Sequence, residues 1–327
     1  MKKLAAVFLV LTLALSSVAC AQEGVEKTGV TMRVSSLKGP TTMGLVKLMQ
    51  DAEAGLTAND YVFTMEGTAD AISPLLIRGE LDAAMVPCNL AAVLINRTEG
   101  ALQIAAVNTL GVLYVLENGD SIQEVSDLVG KTIYSTGKGT TPEYALNYVL
   151  AGNGIDPQQD VTIEYKSEAT EVASAMLNDA AAIAVLPQPY VTAVLAQNEG
   201  TRVALSLTEE WDKIGNGSAM ITGVCLVRKD FAQENPQAMR AFLDEYAAST
   251  AFVNENPAEA AQWIAQLGIV AQAALAEKAI PACNIVCITG EEMVEKVCGY
   301  IDALYEQDPE SVGGKAADAS YFYHPEG

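Results

Sequence analysis

The residues best suited to chemistry lie in three short polar segments, each of which follows a strand-like apolar run and precedes a helix-like run. These segments are residues 35–42, 67–70 and 135–142. Backbone N–H groups at a helix start lack intrahelical partners, and with the helix dipole and nearby hydroxyls they can hold a carboxylate, a sulfonate, a phosphate or a ring carbonyl. We therefore predict a small-molecule site at these junctions. Its candidate residues are Lys38, Thr41, Thr42, Thr68, Thr136, Lys138, Gly139, Thr140 and Thr141.

Each of these residues also has a purely local interpretation. Thr41, Thr68 and Thr141 are suited to capping their own helices. Lys38 and Lys138 are suited either to solvated loop positions or to pairing with an acidic ligand. Gly139 would let the backbone approach a ligand without a Cβ in the way. Repetition of the same pattern at successive strand ends favours ligand binding over capping.

Two further polar residues follow strand-like runs, and two more lie within such a run. Asn89 and Gln188 occupy equivalent positions in the two halves of the chain, so they are candidates for amide hydrogen bonds to a ligand from opposite sides, with helix capping as the alternative. Asn108 and Thr109 lie where the first half should end, a place from which a side chain can touch both a ligand and a hinge. We include all four among the predicted ligand-binding residues.

The composition argues against several other functions. The only histidine is His324, the fourth residue from the end, so a histidine-based catalytic relay or metal site would have to be built around that tail residue. The formal net charge of −22 repels phosphate backbones, so nucleic acid is not an expected partner. We predict no catalytic residue, no metal and no cofactor.

The N-terminus has the order of a secretion signal. Lys2 and Lys3 precede an apolar run of residues 4–15, which is too short to span a bilayer as a helix, and small residues follow up to Cys20. Ala19-Cys20 resembles the acylation site of bacterial lipoproteins, so we predict a signal peptide over residues 1–20, lipidation of Cys20 and a tether over residues 21–28. Ordinary cleavage after Ala19 or Ala21, which would release a secreted protein, is the alternative.

Five cysteines remain beyond Cys20, an odd number, so at least one thiol stays unpaired within a monomer. Cys283 and Cys287 are close in sequence, but no second pair completes a zinc pattern. Buried free thiols are therefore favoured over a disulfide.

The rest of the chain alternates strand-like and helix-like runs, which is typical of β-α-β units. This includes one helix over residues 41–54, one long apolar run over 102–116 and a mostly helical region after residue 227. The alternation restarts near residue 121, which predicts two lobes of mainly parallel sheet flanked by helices. Lobe 1 would comprise residues 29–110 and 220–327, and lobe 2 residues 111–219, with crossings near 109–114 and 216–222. The tail after Pro309 is predicted to be a surface extension, unless its aromatic residues 321–323 pack it down.

With these features in view, the chain resembles the type II periplasmic-binding-protein superfamily, in particular the nitrate, sulfonate, taurine and thiamine-pyrimidine receptors. The resemblance covers nearly the whole chain after the tether, and its most specific element is Ile77-Arg78-Gly79-Glu80-Leu81-Asp82-Ala83-Ala84, a helix end followed by a strand. It implies a solute held in an interlobe cleft and delivered to a membrane permease driven by a cytoplasmic ATPase. An enzymatic branch with the same fold depends on histidine and a cysteine-rich motif, which this chain lacks.

We therefore expect a monomeric, lipid-anchored receptor of an ABC importer that acts outside the cytoplasm on a small organic or anionic solute. No arginine lies in the three junctions, so an anion site is only partly supported and a neutral heteroaromatic solute stays open. Two alternatives remain, an exported structural or adhesion lipoprotein and an enzyme built on this scaffold.

Overall fold

The computed structural model describes residues 25–215 and 218–324 of the chain. The predicted signal peptide, Cys20, the first part of the tether and residues 216 and 217 of the second crossing lie outside these residues. The described residues form two β-sheets, one of six and one of five strands. The strands are β1 (Thr31–Leu37), β2 (Asp60–Glu66), β3 (Ala83–Pro87), β4 (Leu102–Leu110), β5 (Leu113–Asn118), β6 (Thr132–Ser135), β7 (Thr162–Tyr165), β8 (Ile183–Pro187), β9 (Thr201–Ser206), β10 (Ile221–Arg228) and β11 (Ile285–Ile288).

Helices cover both sheets. They are α1 (Pro40–Met43), α2 (Val46–Glu53), α3 (Ala69–Ile77), α4 (Cys88–Arg97), α5 (Thr141–Gly152), α6 (Ala169–Asn178), α7 (Tyr190–Gln197), α8 (Leu207–Ile214), α9 (Lys229–Glu234), α10 (Pro236–Glu255), α11 (Pro257–Gln266), α12 (Ala273–Ala279) and α13 (Gly290–Gln307). Among the residues that the structure describes, no helix is both long and apolar enough to cross a membrane.

The six-stranded sheet has the order β11-β4-β10-β3-β1-β2 and forms the centre of lobe 1. Strands β1, β2 and β3 run parallel, whereas β10 pairs antiparallel with both β3 and β4. The carboxyl ends of β1, β3 and β4 therefore meet the start of β10 at one edge of the sheet. Loops that leave this edge are the ones that can reach a cleft.

The five-stranded sheet has the order β7-β6-β8-β5-β9 and forms the centre of lobe 2. Strand β6 is parallel to β7 and β8, whereas β5 is antiparallel to β8 and β9. The predicted two-lobed α/β fold class is confirmed: four of the six strands in one sheet and four of the five in the other run in the same direction. Strands β5 and β10 begin at the connections between the lobes, so they run against the strands that end there.

An apolar core connects the lobes on one side. The indole ring of Trp211 in α8 stacks on Tyr148 in α5, with ring centroids 3.9 Å apart, and lies 5.5 Å from the ring of Tyr300 in α13. Trp211 and Tyr300 are fully buried. Helix α13 packs against α4, β4 and β10 of lobe 1 and also against α5 of lobe 2. The end of α13 is thereby brought beside the gap between the lobes.

Several predicted elements are broken in the structure. The helix predicted over residues 41–54 is two helices, α1 and α2, which are separated at Gly44 and Leu45. A Cβ on Gly44 would come within 3.0 Å of both Ile285 Cγ2 and the Tyr246 hydroxyl. The apolar run over 102–116 is two strands that separate at Gly111. Strand β11 was missed in the region predicted to be mostly helical, since its four residues carry too short a pattern.

The C-terminal tail packs onto lobe 1. Tyr321, Phe322 and Tyr323 are buried, and the Tyr323 amide donates a 2.9 Å hydrogen bond to the Ile104 carbonyl oxygen of β4. The alternative in which the aromatic residues hold the tail down is therefore the correct one. The five cysteines within the described residues are all free thiols, and burial raises the pKa of Cys283 and of Cys287 to about 12.

Candidate functional site in the interlobe cleft

A cavity of about 590 Å³ lies between the two lobes. Lobe 1 contributes residues 67–70 at the start of α3, Asn89 in α4 and the stretch after α13. Lobe 2 contributes residues 139–142 and Tyr144 at the start of α5. A volume of this size suits a small organic molecule.

Five of the residues predicted from the sequence line this cavity together. They are Thr68, Asn89, Gly139, Thr140 and Thr141. They come from three separate junctions and from both lobes, because the carboxyl ends of β2, β3 and β6 point toward the same gap. Their contact with a solute stays a prediction.

Asn89 and Thr141 join the two lobes at the base of the cavity. The Thr141 hydroxyl donates a 3.3 Å hydrogen bond to the side-chain oxygen Oδ1 of Asn89, and Asn89 Nδ2 lies 3.5 Å from the backbone carbonyl oxygen of Ser311. Both side chains are more than nine-tenths buried. A ligand atom placed here would touch residues of both lobes at once.

The loop before α5 depends on two glycines. Gly137 and Gly139 have φ angles of 68° and 75°, in the left-handed region that L side chains rarely adopt. A Cβ on Gly137 would also come within 3.0 Å of the Pro142 ring. The Gly139 amide donates to the Glu143 carboxylate, and the Thr140 hydroxyl donates to the Gly137 carbonyl oxygen at 2.6 Å. The loop is therefore held in shape by its own hydrogen bonds.

The predicted residues of the first junction lie outside the cavity lining. The hydroxyls of Thr41 and Thr42 both donate to the Leu37 carbonyl oxygen, and Thr42 also donates to the Ser36 hydroxyl at 2.8 Å. These bonds are local, but they are not N-cap bonds, because no side chain among the described residues accepts a hydrogen bond from a backbone N–H at the start of α1. Lys38, in the same loop, is exposed.

Asn108 and Thr109 lie at the end of β4 and are fully buried. Their side-chain polar atoms have no hydrogen-bond partner among the described residues, and the same holds for Ser35 and Thr222 nearby in the sheet. Of these four, Thr222 lines the cavity. Unpartnered buried polar atoms are costly, so they mark this edge of the sheet as a place where a ligand or a water molecule would be stabilising.

The remaining predicted residues have local roles. The Gln188 side-chain oxygen accepts hydrogen bonds from the Thr192 hydroxyl at 2.8 Å and from its amide at 3.3 Å, which caps α7. Lys138 is exposed, and its Nζ lies 5.9 Å from the Tyr165 ring centroid. Gln188, Lys138 and Thr136 do not line the cavity.

The sequence analysis missed part of the cavity wall. Asp308, Glu310 and Ser311 line it, as does Tyr144, whose hydroxyl donates to Asp308 Oδ2 at 3.2 Å. Burial and the Asp308 carboxylate raise the pKa of Tyr144 to about 12. No local pattern marks residues 308–311 as part of a site, because their position depends on how α13 packs.

Titratable groups do not assemble into a metal site. Within residues 25–215 and 218–324, no group of three or more histidine, cysteine, aspartate and glutamate side chains is placed to hold a metal ion. His324 is exposed and lies in the tail, outside the cavity lining.

Two sheets of this topology with a ligand-sized cavity between them define the chain as a two-lobed type II periplasmic-binding-protein fold. Solved structures of this class match over most of their length. An ABC transporter protein from Parabacteroides distasonis has a TM-score of 0.77 and 24% identity, over 91% of this chain and 100% of that chain. The periplasmic aliphatic sulphonate binding protein of Escherichia coli has a TM-score of 0.73 and 16% identity, over 90% and 92% of the two chains.

A more distant match is the periplasmic nitrate-binding protein of Synechocystis PCC 6803, with a TM-score of 0.53 and 15% identity over 73% of this chain and 66% of that one. The family model described as NMT1/THI5 like matches residues 100–260, just under half of the chain. None of the curated proteins matches the chain. The predicted resemblance to binding proteins of ABC transporters is thus confirmed at the level of the fold.

Proposed function

We propose that this protein is the solute-binding component of an ABC importer, which closes on a small molecule and delivers it to a membrane permease without transforming it. The observation that carries the proposal is the cavity of about 590 Å³ whose wall is shared by loops of both lobes. A solute that touches both lobes favours the closed form, since a ligand shifts such an equilibrium only through its differential affinity.

The connections between the lobes support closure by a hinge. A Cβ on Gly111, where β4 passes into β5, would overlap the Thr208 hydroxyl and come within 2.7 Å of Met220 Cε. The first crossing therefore lies directly against Thr208, which precedes the second crossing, and against Met220 within it. Two adjacent strand connections are the usual structure of a hinge, so we place the hinge at residues 109–114 and 216–222, with the lobe boundaries given above.

The proposed location outside the cytoplasm rests on the N-terminal sequence. The basic, apolar and small-residue order before Cys20 is that of an exported lipoprotein, and lipidation would keep the receptor close to its permease. Two of the matched structures carry names that describe periplasmic binding proteins, which fits the same location.

Calorimetric titration of the mature chain from residue 21 tests the proposal. The panel should contain sulfonates, nitrate, a thiamine pyrimidine, flavins, dicarboxylates and amines. We expect one chemical class to bind and to reduce the radius of gyration of the protein in small-angle scattering. At a free solute concentration of a hundred times its Kd, that solute should raise the free energy of unfolding by about 2.7 kcal/mol.

The matched variants are Thr141→Val in the cavity and Thr162→Val at the exposed amino end of β7. Only the first should weaken binding. Absence of binding across the panel, together with turnover of any member, would contradict the proposal.

A further inference from the structure

We propose that the solute carries a positively charged nitrogen, and that carboxylates on the cavity wall select for it. This inference deepens the proposed function and rests on it. It concerns the same cavity between the lobes and names the chemical class that the wall would recognise.

The charged side chains on the cavity wall are all acidic. They are Asp70, Asp308 and Glu310. None of the three forms an ion pair with another residue in the part of the chain that the structure describes, and the lining contains no lysine, arginine or histidine. Carboxylates that face a shared cavity without a cation attract positive charge into it.

Backbone N–H donors near two of the predicted helix starts already form hydrogen bonds within the protein. At the start of α5, the Gly139 amide donates to Glu143, so a carboxylate of the protein occupies the position that an anionic ligand would take. At the start of α1, the Thr42 amide donates to the Gly39 carbonyl oxygen at 3.0 Å. Of the three helix starts that suggested an anion site in the sequence, those of α1 and α5 therefore have nearby backbone donors that already bond within the protein.

The two lysines of the junction loops do not reverse this charge. Lys38 and Lys138 are exposed, and neither lines the cavity. Lys138 lies near the Tyr165 ring, with 5.9 Å between its Nζ and the ring centroid.

The neutral part of the wall also suits a cationic solute. Thr222 lines the cavity, and its hydroxyl oxygen is buried and has no hydrogen-bond partner among the described residues. The Tyr144 ring contributes an aromatic surface beside Asp308. An aromatic face next to a carboxylate is a common arrangement for ammonium recognition.

Three compound sets of equal size and matched molecular weight test the inference by thermal shift and calorimetry of the mature chain. One set holds amines and quaternary ammonium compounds, one holds neutral compounds, and one holds carboxylates and sulfonates. Choline, 3,3-dimethylbutan-1-ol and 2-hydroxyethanesulfonate supply a triple with a shared hydroxyethyl group. We expect members of the cationic set to bind, and to bind less tightly as ionic strength rises.

Charge-neutralising variants link the selectivity to this wall. Asp70→Asn and Glu310→Gln should each weaken binding of a cation about threefold, and together about tenfold, because exposed ion pairs contribute modestly. Asp308 is left intact, since it caps the turn after α13. The control is Glu295→Gln, an exposed position of α13 outside the cavity lining.

The outcomes separate this inference from the function on which it rests. Binding confined to the neutral or the anionic set would overturn the inference and leave the proposed function standing. Equal affinity of a cation for the double variant and the control would also overturn it. Absence of binding by every member of the three sets would overturn the inference, and turnover of any member in addition would overturn the proposed function as well.

Discussion

Two loops of almost the same composition place their threonine hydroxyls differently. Residues 39–42 read Gly-Pro-Thr-Thr and residues 139–142 read Gly-Thr-Thr-Pro. In the first loop proline precedes the threonines, so both fall inside α1 and their hydroxyls return to the Leu37 carbonyl oxygen. In the second loop proline follows them, and Thr141 becomes the first residue of α5 and reaches Asn89 of the other lobe.

Residue types alone therefore do not predict whether a threonine hydroxyl bonds within its own loop or across the cleft. The order of residues around the helix start determines where the hydroxyls can bond. The first loop should therefore affect stability when changed, and the second should affect solute binding.

The largest expected effect is on stability, at the close approach behind the first loop. In a Gly223→Ala variant, the new Cβ would overlap the Asn108 side-chain oxygen and come within 2.8 Å of Thr41 Cγ2. We expect a loss of about 2 kcal/mol in the free energy of unfolding, as for other overpacked sites. Urea denaturation measures it. An unchanged midpoint would show that this part of the sheet can move apart freely.

A somewhat smaller loss is expected at Thr42, which is fully buried. The Thr42→Val variant removes the hydroxyl that bonds to Ser36 and to the Leu37 carbonyl oxygen. It should cost about 1–2 kcal/mol in stability, because buried acceptors lose their donor. Calorimetric Kd for the solute should stay within about twofold of the parent value. A large change in Kd would place the first loop in the binding site after all.

At Thr141 the effects should be reversed. The Thr141→Val variant keeps the side-chain shape but removes the hydroxyl that faces Asn89 at 3.3 Å. Solute affinity should fall about fivefold, which corresponds to about 1 kcal/mol, while stability changes by less. Titration and denaturation of the same preparation give both numbers. A loss of stability without a loss of affinity would make the second loop structural like the first.

The smallest effects are expected at the two loop lysines. Lys38→Ala and Lys138→Ala remove exposed charges outside the cavity lining, so each should change Kd by less than about twofold. A tenfold loss in either variant would show that a lysine reaches the solute when the lobes close, and would favour an acidic solute.

Much of the fold and part of the site could be predicted from the sequence. The alternation of short apolar and amphipathic runs is a local property, and it predicted two lobes and the junction loops. It also placed Thr68, Asn89 and Thr141 at strand ends, which is where the cavity lies. The roles of these residues in binding stay predictions.

The rest depends on contacts between distant parts of the chain. Asp308 meets Tyr144 across 164 residues of sequence, and this contact exists only because α13 packs against both lobes. The direction in which a threonine hydroxyl bonds likewise depends on the turn that contains it, as the two loops show. No periodicity or composition in the sequence reports either feature.

The most direct test is a crystal structure of the mature chain with the tightest-binding solute from the titrations. Solute between the lobes, within hydrogen-bond distance of Asn89 or Thr141 on one side and of residues 68–70 on the other, is the predicted result. Solute bound elsewhere on the surface, with the interlobe cavity occupied only by water, would contradict the account.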